Sequence, residues 1–316
     1  MGNATSLLVT GASGFVGARL VRLALARGHA VAALVGPDSR LHRLEDLLGD
    51  VDLIRGDITD AIALARIAAT VRPDACVHLA AAGAVVREDD LETLLAANAV
   101  APAHLAAALA RAGCRRLVVA GSSSEYGPVK GVMDEALPPH PDDFYGVTKL
   151  AGGLLAAVAG ARHGLETTHL RLFSVYGPGE DPRRLVPSVV RALRADEPIA
   201  LTPGAQVRDF VYVDDVAEAL LAAVGRPVLD TPTINVGTGV QTSVRELCHL
   251  AAGLIGAHHD LLRFGAAPYR PGERFSWRAS TATAERALGW QARTPLADGL
   301  ARTIEYARNE QYAEAA

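Results

Sequence analysis

The chain has 316 residues, half of them apolar and 21% charged, with a formal net charge of −4. That composition suits a globular protein with one large α/β domain and an added lobe, or with two domains. The mild acidity offers no basic footprint for nucleic acid or an anionic membrane, and no run of 18 uncharged apolar residues marks a transmembrane helix. Cys76, Cys114 and Cys248 lie far apart, without histidine at ligand spacing, so neither a disulfide framework nor a metal site is expected. His258-His259-Asp260 reads as a solvated loop. With no basic segment ahead of the strand-like run at Leu7, the expectation is a cytoplasmic protein.

Ser6–Thr10 is a short apolar run ending in Gly11-Ala12-Ser13-Gly14-Phe15-Val16-Gly17, and helical periodicity follows from Ala18 to Arg27. The pattern is strand, glycine turn, helix. Glycines at 11, 14 and 17 allow a tight turn and let a pyrophosphate approach the positive end of the helix. Gly11, Ser13, Gly14, Phe15 and Val16 are therefore the expected dinucleotide contacts. The second strand, Ala30–Val35, should end near a carboxylate for the ribose 2′-hydroxyl of NAD, but Gly36-Pro37-Asp38-Ser39-Arg40 follows instead. Arg40 suits a 2′-phosphate. The expectation therefore leans to NADP(H), with NAD(H) left open through Asp38.

A third strand, Val51–Ile54, precedes Asp57-Ile58, placed to meet the adenine unless Asp57 only caps a helix. A fourth strand, within Pro73–Ala80, ends in His78-Leu79-Ala80-Ala81, where small residues let the backbone lie against the cofactor. The helical stretch Leu91–Ala112 has one polar interruption, Asn98, which reads as a bend, a buried hydrogen-bonding residue or a surface position. The fifth strand, Arg116–Ala120, opens into Gly121-Ser122-Ser123-Ser124-Glu125-Tyr126-Gly127, three hydroxyls at the end of a strand where open α/β sheets bind ligands. Beyond it come Tyr145 and Lys149, four residues apart and so on one face of a helix, where the ammonium would favour the phenolate. Serine, tyrosine and lysine together can position a carbonyl or alcohol and move its proton while a dinucleotide handles the hydride.

These motifs, in this order, resemble an extended short-chain dehydrogenase/reductase of the nucleotide-sugar branch, which holds UDP-galactose 4-epimerases, hexose 4,6-dehydratases and 4-ketoreductases. The resemblance runs from about Leu7 to about Tyr306 and includes the later motifs Arg171–Gly179, Arg208–Asp215 and Tyr269–Glu273. It implies a doubly wound parallel Rossmann sheet over residues 1–172 and 208–238, with a smaller C-terminal substrate-binding lobe over 173–207 and 239–316. By the same resemblance Tyr145 is the acid/base, Lys149 tunes it and holds the nicotinamide ribose, and Ser122, or Ser123 if one residue is missing, binds the C4 oxygen. Ser124, Ser174, Arg208 and Arg270 are the expected substrate contacts, the arginines gripping the diphosphate of a nucleotide sugar. Ser174 replaces an asparagine common in the family. A homodimer is implied, built on a four-helix bundle that includes the Tyr145 helix.

The reaction expected first is reduction of an NDP-4-keto-6-deoxyhexose by NADPH, then 4-epimerisation with retained NAD. A 4,6-dehydratase comes third: those enzymes usually carry an Asp-Glu or Ser-Glu pair just after the catalytic hydroxyl, where the ungapped count has Ser123-Ser124, and the gapped count would supply the pair as Ser124-Glu125. From a different class, a catalytically silent nucleotide-sensing protein would keep the fold alone.

Overall fold

The computed structural model describes residues 5–83, 90–226, 232–270 and 272–314, the last five of these by backbone only. Pro271 of the Tyr269–Glu273 motif lies outside the described residues, as do 1–4, 227–231 and 315–316 of the expected domain ranges. The N-terminal part alternates strand and helix: β1 (Ser6–Thr10), α1 (Phe15–Ala26), β2 (Ala30–Val35), β3 (Asp52–Arg55), α2 (Ala61–Val71) and β4 (Ala75–His78). Helix α3 (Leu91–Leu94) continues through a π-helical stretch, Leu95–Val100, into α4 (Ala101–Arg111), and β5 (Arg116–Ser122), α5 (Phe144–Ala161) and β6 (Glu166–Leu172) follow. The second part holds β7 (Ser174–Tyr176), α6 (Leu185–Arg194), β8 (Ile199–Leu201), β9 (Val207–Arg208), β10 (Phe210–Tyr212) and α7 (Val213–Gly225). After these come β11 (Thr233–Val236), β12 (Thr242–Ser243), α8 (Val244–Ile255), β13 (Leu262–Phe264), α9 (Ala282–Leu288) and α10 (Leu296–Glu314).

Seven strands form one parallel sheet in the order β11-β6-β5-β4-β1-β2-β3. The chain winds outward from β1 in both directions, so the carboxyl ends of β1 and β4 flank the point where strand order reverses. Side chains of successive strand residues leave by opposite faces. Leu7 and Val9 accordingly join a core with α1, α7, α9 and Trp290, whereas Leu8 joins a second core with α2, α4 and Ala156 of α5. Both faces are buried along β1, β2 and β5, which accounts for the continuous apolar runs in those strands. α9 and Trp290 pack on this sheet although the expected domain division gives them to the lobe.

A third core gathers Tyr176, Val189, Tyr212, Leu247, Leu262 and Leu300 from α6, α8, α10 and the short strands between them. Two helical stretches, Leu91–Arg111 and Phe144–Ala161, match membrane spans in length and hydropathy. Here they are packed together against the sheet.

Some boundaries differ from the sequence expectation. α1 begins at Phe15, because Gly14 is its cap. β5 runs two residues past Ala120, because Gly121 and Ser122 pair with Arg171 and Leu172 of β6. Ser122 is therefore held by a sheet rather than by a loop.

Candidate active site

The first turn after β1 is shaped by contact. Gly11 has φ of +66°, and a Cβ there would lie 2.6 Å from Ala80 N; one on Gly17 would lie 2.1 Å from Gly11 O. Only glycine lets α1 come this close to β1 and to the Leu79-Ala80 strand end. α1 has no side-chain cap, which leaves the N–H groups of its first turn directed at any anion placed there. The described geometry thus fits a dinucleotide pyrophosphate, held by Gly14, Phe15 and Val16.

These residues open onto a cleft of about 1320 Å³ between the sheet's carboxyl edge and the lobe. The cleft brings together Gly11, Gly14, Phe15, Val16, Leu79, Ala81, Ser122, Ser123, Ser124, Tyr145, Lys149, Ser174, Arg208 and Arg270. Ser13, Arg40, Asp57, Ile58 and Ala80 stand outside its lining. Arg40 and Asp38 are exposed, and Asp57 accepts from the backbone N–H and hydroxyl of Thr59, both at 2.8 Å. A cation the sequence did not single out, Arg55, donates to Pro37 O at 2.7 Å and shapes the loop after β2.

Tyr145 lies in the first turn of α5, whose cap Asp143 accepts from Gly146 N at 2.7 Å. Burial pushes its phenol up to about 12, while the charge of Arg184 and a hydrogen bond with Ser122 act downward. Of the two serines proposed from the sequence, Ser122 is the one whose hydroxyl bears on the phenol's ionisation. Burial pushes Lys149 down to about 8, with Glu125 opposing. Burial, and after it the Lys149 ammonium, pushes His78 down to about 3. Arg184, at the cap position of α6, is a further cation that acts on the phenol.

Asn98 is buried. Its amide accepts from Ala82 N at 2.8 Å and donates to Ala82 O at 3.1 Å and to Thr148 Oγ1 at 3.3 Å. The π-helical stretch places that amide between the β4 strand end and α5, fixing the distance from the Leu79–Ala81 segment to Tyr145.

Glu125 does not reach the cleft. It is fully buried: Oε1 accepts from Ser122 N at 2.8 Å and meets His169 Nε2 at 2.9 Å, and Oε2 accepts from Arg171 Nε at 2.8 Å. Despite burial, which would raise it, His169 and Arg171 hold its carboxyl down at about 2. The gapped count that would make Glu125 a dehydratase acid therefore fails on geometry and on protonation.

The two expected diphosphate arginines differ. Arg270 is exposed at the cleft. Arg208 is ion-paired with Glu273, donates to Arg274 O at 2.6 Å and stacks over Trp277 at 4.7 Å. It meets the cleft as an edge already braced by the lobe. Arg274 pairs with Asp142 and, at 2.9 Å, with Asp143, linking the lobe to the cap of α5. Arg43 donates to Gly179 O at 2.8 Å and to Ser13 O at 3.4 Å, linking the lobe to the glycine turn. All three cysteines are free and buried, and among the described residues no group of three or more His, Cys, Asp or Glu gathers to hold a metal. His249 and His259 stack at 4.9 Å without a third such partner.

The family model described as the NAD dependent epimerase/dehydratase family matches residues 7–237. The chain belongs to that family. This epimerase/dehydratase-family member is an extended short-chain dehydrogenase/reductase, and its relatives are enzymes. It is 36% identical to the UDP-glucose 4-epimerase of Mycolicibacterium smegmatis over 96% of this chain and 98% of that one. Among solved structures it resembles MoeE5, described in complex with UDP-glucuronic acid and NAD, at 35% identity and a TM-score of 0.86, covering 96% of this chain and 99% of MoeE5. It also resembles DesIV, a dTDP-glucose 4,6-dehydratase from Streptomyces venezuelae with NAD bound, at 28% identity and a TM-score of 0.88, covering 98% of each chain. Several family structures thus carry NAD, whereas the empty strand end after Val35 had pointed toward NADP.

Proposed function

We propose that this protein is a nucleotide-sugar 4-epimerase that works with NAD on a UDP- or dTDP-hexose. The observation that carries the reading is the serine-bearing end of β5. Ser122 bears on the ionisation of the Tyr145 phenol, Ser123 and Ser124 stand where 4,6-dehydratases usually keep an Asp-Glu or Ser-Glu pair, and Glu125 is locked away under the strand. The relatives that lend it weight are the M. smegmatis 4-epimerase and MoeE5.

NAD, when bound, supplies a reversible hydride acceptor for the sugar's C4 position. The protein's own part is to hold and move a proton. Ser122 donates to the C4 oxygen, and Tyr145 takes the C4 hydroxyl proton on oxidation and returns it on reduction. Burial favours the neutral phenol, which cannot take a proton, so Tyr145 serves as the base only after releasing its own to solvent, and the charge of Arg184 favours the phenolate that results. Lys149 is placed to meet the cofactor's ribose beside Leu79 and Ala81. The unpaired N–H groups of α1 and the cleft arginines receive the two diphosphates.

A second reading, 4-ketoreduction with NADPH, is favoured by the missing acid after Val35 and by the cations Arg40 and Arg55 near that strand end. The two readings separate on the purified protein. The epimerase should retain NAD and interconvert UDP-glucose and UDP-galactose, or the dTDP pair, without net cofactor consumption. Steady oxidation of NADPH with an NDP-4-keto-6-deoxyhexose would replace it with the ketoreductase, and release of a 4-keto-6-deoxy sugar from the hexose would replace it with the dehydratase. Tyr145→Phe should lower turnover about 10³-fold or more while leaving cofactor binding intact.

We also propose a homodimer. Val147, Leu154, Leu155 and Val158 on α5, with Leu91, Leu95 and Val100 beside them, present large apolar side chains to solvent.

A further inference from the structure

One carboxylate in the cleft takes no part in the proton chemistry described above. Glu180 follows the turn Gly177-Pro178-Gly179, where Gly177 has φ of +149° and Gly179 of +80°, backbone that side chains rarely adopt. The turn feeds the chain from β7 back over the cleft, and Arg43 holds it there through Gly179 O. The Glu180 side chain is 6% exposed and lines the cleft. Its Oε1 accepts from Arg184 Nε at 3.3 Å; its Oε2 is buried with no hydrogen-bond partner in the protein. Its partner Arg184 acts on the ionisation of Tyr145, and Glu180, Arg184 and Tyr145 all line the same cleft.

A buried carboxylate oxygen without a donor is costly, and native structures leave such an atom for a water or a ligand to satisfy. Burial lifts the Glu180 carboxyl to about 7 even against Arg184. Of the substituents on a neutral hexose ring, the hydroxyls can donate to it. A phosphate or a sugar carboxylate offers acceptors alone and adds a second negative charge.

We propose that Glu180 Oε2 accepts a hydroxyl of the sugar ring, making this a site for neutral NDP-hexoses that rejects NDP-hexuronates. The assignment rests on the nucleotide-sugar reading above and narrows it to a substrate class. Glu180 is a binding residue that sets specificity, with no part in the hydride or proton transfer.

Equilibrium binding to the NAD-loaded full chain at pH 8 tests this. The probes are UDP-glucose, UDP-glucuronic acid and UDP, and the corresponding dTDP series, titrated calorimetrically into the wild type, Glu180→Gln and Glu180→Ala. The wild type should bind each neutral sugar at least tenfold more tightly than the uronic acid on the same nucleotide. Glu180→Gln should bring that ratio within about threefold, mainly by tightening the uronic acid, and Glu180→Ala should weaken the neutral sugar. The bare diphosphates should bind all three proteins alike, which certifies the folding of the variants. A wild type that takes the uronic acid as tightly, or a Glu180→Gln variant with an unchanged ratio, overturns the assignment. If neither sugar of either series binds better than its bare diphosphate, the nucleotide-sugar reading itself fails, and the assignment goes with it.

Discussion

Glu125 shows how one side chain can be visible in a sequence and misjudged there. Beside Ser122-Ser123-Ser124 it looks like a candidate acid, yet its carboxylate ties Ser122 N, His169 and Arg171 together beneath the strand end. Removing one member of such a buried charged set leaves the others uncompensated. Glu125→Gln should therefore cost about 3 kcal/mol at pH 7, read from denaturant midpoints at unchanged slope. The pH dependence has a defined sign. The carboxyl ionises at about 2 in the fold, below its ordinary value of 4.5, so its contribution is present above pH 4.5 and is lost as pH falls toward 2. The gap between wild type and variant should close over that window; a gap that persists at pH 2 would deny the carboxylate this role. Tyr145 and Lys149 were legible because their spacing is local and helical. Arg184 and Glu180 were not, since nothing near them in sequence announces that a turn carries them over Tyr145.

At the level of elements, α5 is fitted to its neighbours by small residues. A Cβ on Gly153 would lie 1.7 Å from His169 Nδ1, and one on Gly152 would lie 1.9 Å from Asn98 O. His169 cannot yield easily, because its other ring nitrogen is engaged by Glu125. Gly153→Ala should thus destabilise by about 2 kcal/mol despite the better helix propensity of alanine. Gly253→Ala on α8 is the counterpart: nothing lies within 4 Å of the added carbon, so the same change should stabilise by up to about 1 kcal/mol. Thermal melts of the two variants should move in opposite directions. Equal shifts would mean that the close approach of α5 to β6 is not what selects glycine. The doublet Gly152-Gly153 is plain in the sequence, but what it makes room for is not, because Asn98 and His169 arrive from distant elements.

For the molecule as a whole, several of the large apolar side chains exposed among the described residues gather on one face of α5. Leu154 is 59% exposed and Val158 is 55% exposed, side by side one turn apart. Covering that face with a second copy would bury it in a helical bundle, so sedimentation should give a dimer, and Leu154→Glu with Val158→Lys a folded monomer. A wild type that sediments as a monomer at micromolar concentration would refute the dimer.

The sequence by itself determined the glycine turn, the strand and helix alternation and the Tyr145–Lys149 pair, since each depends on spacing within one or two elements. Tertiary structure alone decided that Glu125 braces β5 instead of lining the cleft, and that Asn98 joins the β4 end to α5. It also decided that Arg208 is spoken for by Glu273 while Glu180 is left with a free oxygen. Those outcomes depend on partners far away in the chain, and no local pattern encodes which of two polar side chains a folded neighbour will satisfy.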